Sequence, residues 1–195
     1  MPLAQPWSLA EQATVDIGRI LFGGFFRLRV EGLQHLPRRG GCLIVCNHPT
    51  LIDPVLLTLA MPRSVSHMAA STPWRYEPIG YFLDLFRVIP MVPGEPAAPM
   101  QQAMVALDEG RLVMIFPEGN LSPAGELGRF HPGAAMLALA ARCPVVPAAI
   151  CGSHAAWPKG RAFPRFKPVT VRLGPPLALA QAYSRRSNAR LVRAL

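Results

Sequence analysis

The stretch Cys42-Leu43-Ile44-Val45-Cys46-Asn47-His48-Pro49-Thr50-Leu51-Ile52-Asp53-Pro54 decides how the rest of the chain is read. Its first five residues are apolar and rich in β-branched side chains, the composition of a buried strand. From Pro54 the run Val55-Leu56-Leu57-Thr58-Leu59-Ala60 reads as a helix, with Asp53 suited to the N-cap and Pro54 to the first helical position. A histidine and a carboxylate therefore fall where a strand gives way to a helix. In open α/β sheets such loops border the crevice at the carboxyl ends of the strands, where ligands bind. Imidazole takes a proton near neutral pH once its tautomer is fixed, and a carboxylate on the other ring nitrogen fixes it. Asp53, at a helix N-terminus, is expected to accept hydrogen bonds from free backbone N–H groups. No serine or cysteine directly adjoins His48, so the stretch offers a base without a protein nucleophile. The proton it takes would come from a substrate hydroxyl. Taken alone, His-x4-Asp is short enough that an N-cap aspartate beside a loop histidine explains it better.

A second stretch changes that balance. Arg111-Leu112-Val113-Met114-Ile115 reads as another buried strand and runs into Phe116-Pro117-Glu118-Gly119-Asn120-Leu121-Ser122. The pair N-H-x4-D and F-P-E-G-x-x-S, in this order and at this separation, resembles the glycerolipid acyltransferase family. Its best-known members are the 1-acylglycerol-3-phosphate O-acyltransferases. Val30-Glu31-Gly32-Leu33 with Leu36-Pro37 is similar to the family's opening segment. Phe130-His131-Pro132-Gly133-Ala134-Ala135, Val145-Val146-Pro147-Ala148-Ala149-Ile150 and Leu173-Gly174-Pro175-Pro176-Leu177 are similar to its later blocks. The likeness thus runs from about Val30 to Leu177.

The resemblance implies transfer of a fatty acyl group from an acyl thioester to the hydroxyl of a lysophospholipid, with a lysophosphatidate-type acceptor foremost. The thioester, on coenzyme A or acyl carrier protein, is a co-substrate, and neither a resident cofactor nor a metal is implied. His48 would be the general base and Asp53 its orienting partner, together the catalytic pair. Asn47, Glu118, Gly119, Ser122 and His131, with Arg87 and Arg129, are the candidate substrate-binding residues. Glu118 is open between binding a substrate hydroxyl and bracing its loop. Three departures bear on the acceptor. Leu121 and Pro93 stand where the family usually has arginine, and His131 where it often has lysine. Arginine grips phosphate bidentately, so its loss at two positions raises a lyso-aminolipid, or a lysophospholipid with another headgroup, as a rival acceptor.

Whole-chain composition narrows the partners. The 195 residues are 51% hydrophobic and only 16% charged, with a formal charge of +9. Lys159 and Lys167 are the only lysines, so the excess is arginine. A basic, arginine-rich and apolar surface suits a membrane with anionic headgroups and phosphate-bearing substrates. Nucleic acid is the competing explanation of the charge, but zinc spacings, aromatic RNA-binding signatures and basic runs are missing, so none is expected. Cys42, Cys46, Cys143 and Cys151 lie in or beside apolar runs and are expected to be buried, reduced thiols. No apolar run approaches the ~18–20 residues that cross a bilayer, and Met1-Pro2-Leu3-Ala4-Gln5 lacks the marks of a secretory signal. The expectation is a peripheral protein on the cytoplasmic face of the membrane.

Along the chain, residues 7–28 follow a helical pattern, with Ser8 and Glu11 placed as a capping box and Gly23-Gly24 as a point of weakness. Ile20, Leu21, Phe22, Phe25 and Phe26 flanked by Arg19, Arg27 and Arg29 suit an interfacial helix; an ordinary amphipathic helix packed on the domain fits equally well. Further helices are expected over 78–86, 96–109 and 132–142, and strands over 64–70, 88–92, 145–150 and 169–173. The alternation predicts a single-domain α/β sandwich with a largely parallel or mixed central sheet flanked by helices. Residues 1–29 would be the membrane-associating helix, 30–177 the acyltransferase domain and 178–195 a basic tail. The tract from Trp157 to Pro168 is expected to be a surface loop. His35, His67 and His154 are expected at surface or satisfied positions, and Trp7, Trp74 and Trp157 either mark the membrane side or pack in the fold. Two rival functions remain alongside nucleic-acid binding: a degenerate lipid-binding homologue without turnover, and a metal-dependent hydrolase built on His48 and Asp53, for which two ligands are too few.

Overall fold

Seven strands and six helices follow one another in the residues that the computed structural model describes, 4–71, 77–92, 94–122, 125–158 and 160–177. In chain order they are α1 (Leu9–Gly18), β1 (Arg29–Glu31), β2 (Cys42–Cys46), α2 (Asp53–Ala60), β3 (Val65–Ala70), α3 (Glu77–Leu85) and β4 (Ile89–Met91). They continue as α4 (Ala97–Asp108), β5 (Leu112–Ile115), α5 (Gly133–Ala141), β6 (Val145–Cys151), α6 (Ser153–Ala156) and β7 (Thr170–Leu173). Trp74, Pro93, Lys159 and the tail from 178 lie outside the described residues.

The strands form one sheet in the order β1-β7-β6-β2-β5-β3-β4. All neighbours pair in parallel except β6 and β7, so β1 and β7 run against the other five. The sheet is therefore mixed, one of the two forms expected, and β1 is a strand that the sequence pattern did not mark. Alternation along β2 explains the layers, since successive strand side chains point to opposite faces. Cys42, Ile44 and Cys46 face a core with Val15 of α1 and Leu56 and Leu57 of α2. Leu43 faces the other core, with Ala103 and Leu107 of α4 and Leu137 of α5. Leu43, Ile44, Leu56 and Leu57 are fully buried, each contributing about 1.5–3 kcal/mol on transfer from water.

The capping box at the start of α1 forms as expected: Ser8 Oγ accepts from the Glu11 N–H, and Glu11 Oε2 accepts from the Ser8 N–H at 2.7 Å. Instead of breaking at Gly23-Gly24, the helix widens into a π turn over Arg19–Gly23 and ends near Arg27, at a φ of 43°. The segment has one face on the domain and one in the open. Val15 and Phe26 are buried in the domain, while Ile17, Ile20 and Leu21 are exposed. Among the described residues no helix is long and apolar enough to cross a membrane.

Two local expectations need correction. Asp53 is not the N-cap of α2 but its first helical residue, after Ile52, and Pro54 follows it. Cys151 is exposed at the end of β6, whereas Cys42, Cys46 and Cys143 are buried. Burial pushes the Cys42 thiol up to about 12. His35 is satisfied as expected, its Nδ1 bonding the Leu173 carbonyl at 2.8 Å, whereas His67 is buried with its Nδ1 unpartnered; Trp7 packs edge-on against Phe86.

Candidate active site

Strands β2 and β5 are parallel neighbours, with Leu43 opposite Val113 and Val45 opposite Ile115. That register carries the segments following both strands, Asn47-His48 and Phe116-Pro117-Glu118, to the same end of the sheet. The two motifs, some seventy residues apart in sequence, meet there through hydrogen bonds.

Asp53 is fully buried, and both of its oxygens are used. Oδ2 accepts from the Thr50 N–H at 2.6 Å and lies 3.2 Å from His48 Nδ1; Oδ1 accepts from the Thr50 hydroxyl at 2.7 Å. The carboxylate is thus held by the preceding turn rather than by the helix's own free N–H groups. The cause is its place inside the first turn of α2, which aims it back along the loop instead of forward along the helix. His48 has 16% of its side chain exposed and stacks on Phe116, with ring centres 4.0 Å apart and planes 18° from parallel. Hydrogen bonding to Asp53 assigns the proton to Nδ1, which leaves the Nε2 lone pair for a substrate proton.

The loop after β5 clamps the His48 backbone on both sides. The His48 N–H donates to Glu118 Oε1 at 3.0 Å, and the His48 carbonyl accepts from the Ser122 N–H at 3.0 Å. Glu118 Oε2 accepts from the Gly128 N–H at 2.9 Å, and the Ser122 hydroxyl donates to the Glu126 carbonyl. Of the two roles open to Glu118, these bonds fill the bracing one. A Cβ on Gly128 would fall 2.9 Å from the same Glu118 oxygen, so the close approach depends on glycine there. Asn47 turns toward β6, its Nδ2 donating to the Ile150 carbonyl at 3.2 Å and its Oδ1 accepting from the Ile150 N–H at 2.8 Å. Gly119, at a φ of 67°, lies beside the His131 ring, and the His131 N–H bonds the Pro117 carbonyl at 2.7 Å. His131 and Arg129 are exposed on this loop.

Arg87 lies elsewhere. It enters β4 in a left-handed conformation and lines a cavity of about 490 Å³ with Ser66, Arg111 and α4 side chains. Its distance from His48 in the sheet order, three strands away on β4, separates it from the other candidates. Thr50 and Phe116 carry the opposite lesson. Both lie within the quoted motifs, yet neither residue type announces that it orients the carboxylate or backs the imidazole. Behind Phe116 lies His67, fully buried, its ring centre 6.3 Å from that of Phe116 and its Nε2 2.8 Å from Thr58 Oγ1. Burial, followed by the nearby His48, pulls the His67 pKa down to about 4, so it stays neutral.

Cys46 is the cysteine beside the site. Burial, followed by the Asp53 charge, raises its pKa, so it remains a thiol and hydrogen-bonds to Asn47 Oδ1 rather than acting as a thiolate. Among the described residues no group of three or more His, Cys, Asp or Glu side chains converges to hold a metal ion.

The chain is 29% identical over 187 residues to a 1-acyl-sn-glycerol-3-phosphate acyltransferase of Limnanthes douglasii, covering 91% of this chain and 66% of that one. It is 31% identical over 140 residues to the protein of that name from Pseudomonas aeruginosa, covering 68% and 52%. The chain thus spans just under two thirds of the first relative's length and about half of the second's. Its fold is similar to that of the 1-acyl-sn-glycerophosphate acyltransferase PlsC from Thermotoga maritima, with a TM-score of 0.73, 22% identity, and coverage of 94% and 76%. The family model described as Acyltransferase matches residues 27–151, the span that holds both motifs and the strands β2 and β5 that lead into them, and the chain belongs to that family.

Proposed function

We propose that the protein transfers a fatty acyl group from an acyl thioester to the hydroxyl of a lysophospholipid, with a lysophosphatidate-type acceptor as the leading candidate. The observation that carries this reading is the His48–Asp53 pair, 3.2 Å apart, with the carboxylate buried and the ring partly open to solvent. His48 Nε2 removes the acceptor's hydroxyl proton as that oxygen attacks the thioester carbonyl. A carbon–oxygen bond forms, the carbon–sulfur bond breaks, and the departing thiolate recovers the proton from the imidazolium. Asp53 holds the ring in the required tautomer and stabilises its charged form. General-base assistance of this kind is worth roughly 10²–10⁴-fold in rate. The donor is acyl coenzyme A or acyl carrier protein, and the reaction runs at the cytoplasmic face of a membrane rich in anionic lipid.

Asn47, Glu118 and Ser122 support the site rather than touch substrate, because Asn47 spends its side chain on the Ile150 backbone, Glu118 on those of His48 and Gly128, and Ser122 on that of Glu126. Gly119, His131 and Arg129 are left as the acceptor-facing set on the loop after β5. Leu121, where the family usually has arginine, favours the second reading of the acceptor, a lysolipid whose headgroup is not a bare phosphate. The deciding experiment is acyl transfer from palmitoyl and oleoyl thioesters to lysophosphatidate and lyso-aminolipids, with His48→Ala beside the wild type. Turnover that collapses in the variant supports the reading, and the preferred acceptor chooses between its two forms. Equal inactivity of both proteins with every donor and acceptor would leave a lipid-binding homologue without turnover.

A further inference from the structure

The strand directions place four separate segments at one end of the sheet. Strands β2 and β5 end there, leading into His48 and Glu118. Strand β6 also ends there, being parallel to β2, and Thr170 opens β7 opposite Cys151, the last residue of β6. Strand β1 starts at the same end, with Arg29 opposite Thr170. The chain just before β1, the two motif loops and the long β6–β7 loop therefore all lie at the His48 end of the sheet. Each of these segments exposes large apolar side chains: Phe22 before β1, Leu51 after β2, Leu127 and Phe130 after β5, and Phe163 and Phe166 between β6 and β7. Exposed apolar side chains scattered singly need no explanation, but several gathered at one end of the sheet do.

The β6–β7 loop is built to present its aromatic side chains. The Trp157 indole N–H donates to the Arg161 carbonyl at 2.8 Å, and the Arg165 N–H donates to the Ala156 carbonyl at 2.7 Å. Phe166 is propped edge-on against Phe25, with ring centres 5.1 Å apart, and the Arg27 guanidinium lies 5.0 Å above its ring. Phe163 finds no such cover and is 79% exposed. From Trp157 to Pro168 the sequence has no acidic residue, and Arg161, Arg165 and Lys167 are exposed around the two phenylalanines. Aromatic side chains interleaved with cations match a lipid surface, whose acyl boundary accepts the rings and whose anionic headgroups pair with the cations.

We propose that the β6–β7 loop is a membrane-inserting element in its own right, packed beside the N-terminal helix, which seats Phe163 in an anionic bilayer and turns the His48 end of the sheet toward the lipid. The inference deepens the acyltransferase reading by naming the surface on which that site works. Its test needs no turnover, so the two can fail separately.

The test is co-sedimentation of the full chain with vesicles of phosphatidylcholine alone and of phosphatidylcholine with phosphatidylglycerol. Wild type is compared with Phe163→Ser, Arg165→Glu and a control, Val105→Ser, at an exposed apolar position on α4. Wild type is expected to prefer the phosphatidylglycerol vesicles and to lose that preference as salt is raised. Phe163→Ser should weaken binding about tenfold, as expected for one buried aromatic side chain. Arg165→Glu should weaken binding to the anionic vesicles by about tenfold and bind neutral ones as wild type does. Val105→Ser should bind unchanged. Wild-type affinity in both loop variants, or no binding by wild type, overturns the proposal. So does a loss in the loop variants confined to binding of purified acyl carrier protein, which would make the loop a protein dock. Loop-dependent vesicle binding without any acyl transfer would uphold the membrane element and count against the enzyme.

Discussion

Buried charge is handled in opposite ways at the two ends of the sheet. At the amino end, Arg63 spends its guanidinium on the main-chain carbonyls of Gly110, Gly40 and Pro37, the last two at 2.8 and 3.2 Å. Arg111 is buried nearby, donating from Nε to Ser66 Oγ at 3.0 Å and lying 3.7 Å from Glu11 Oε1 of α1. These cations stitch loops and the N-terminal helix to the strand starts. At the carboxyl end, Asp53 is equally buried and equally bonded, but one of its partners is a ring with a second nitrogen facing outward. A buried charge whose partners are all main chain can only hold the structure. One whose partner has a further titratable atom can pass its influence on to a substrate.

Replacing groups at each end should break stability at one and turnover at the other. The largest effect is expected for His48→Ala, which should lower the acyl-transfer rate by about 10²–10⁴-fold while leaving the urea midpoint near that of wild type. Adding Asp53→Asn to His48→Ala should reduce the rate little further, because the two act as a unit. A large additional loss would mean that Asp53 has a role of its own in turnover. Arg63→Met should do the reverse. It leaves three carbonyls without their donor and should cost about 3 kcal/mol in urea unfolding, with the rate of the folded fraction preserved.

His67 offers an intermediate effect, visible in pH dependence. Its folded pKa of about 4 lies below the ordinary imidazole value of 6.5, so the unfolded chain binds the proton more readily. Stability from this group is therefore full above the unfolded value and is lost as pH falls from there toward the folded one. Between pH 7 and pH 5 the loss should be about 2 kcal/mol, and His67→Gln should remove that part of the pH dependence. A variant with the same pH slope as wild type would show that His67 is not the group responsible. The smallest effect is expected for Phe116→Leu, which removes the stacking surface under His48. A contact of that kind is worth about 0.5–1.5 kcal/mol, so the rate should fall severalfold with little change in KM. An unchanged rate would assign ring placement to Asp53 alone.

Much of this was legible in the sequence for a local reason. The strands β2, β5 and β6 are short apolar runs, and the turns between them carry proline and glycine, so element type follows from composition. His48 and Asp53 are five residues apart across one turn, and their meeting depends on few degrees of freedom. The Ser8–Glu11 box is local in the same sense. Less legible was the direction in which the Asp53 carboxylate turns, because cap and first-turn positions differ by one residue and local propensity does not separate them. Strand β1 escaped notice because three residues carry too little pattern, and its pairing with β7 comes from far along the chain. Cys151 sits in an apolar run, yet its neighbours in space leave it open.

The α/β class, the two motifs, the family resemblance they carry and the basic, apolar composition could be read from the chain alone. All of these follow from residue types and short spacings. Long-range packing set Glu118 against the His48 backbone, committed Asn47 to β6 and put Arg87 in another part of the molecule. It also brought four apolar segments to one end of the sheet. Those outcomes depend on strand order, direction and register, which are set by long-range packing of the two cores and cannot be read from any one stretch of chain.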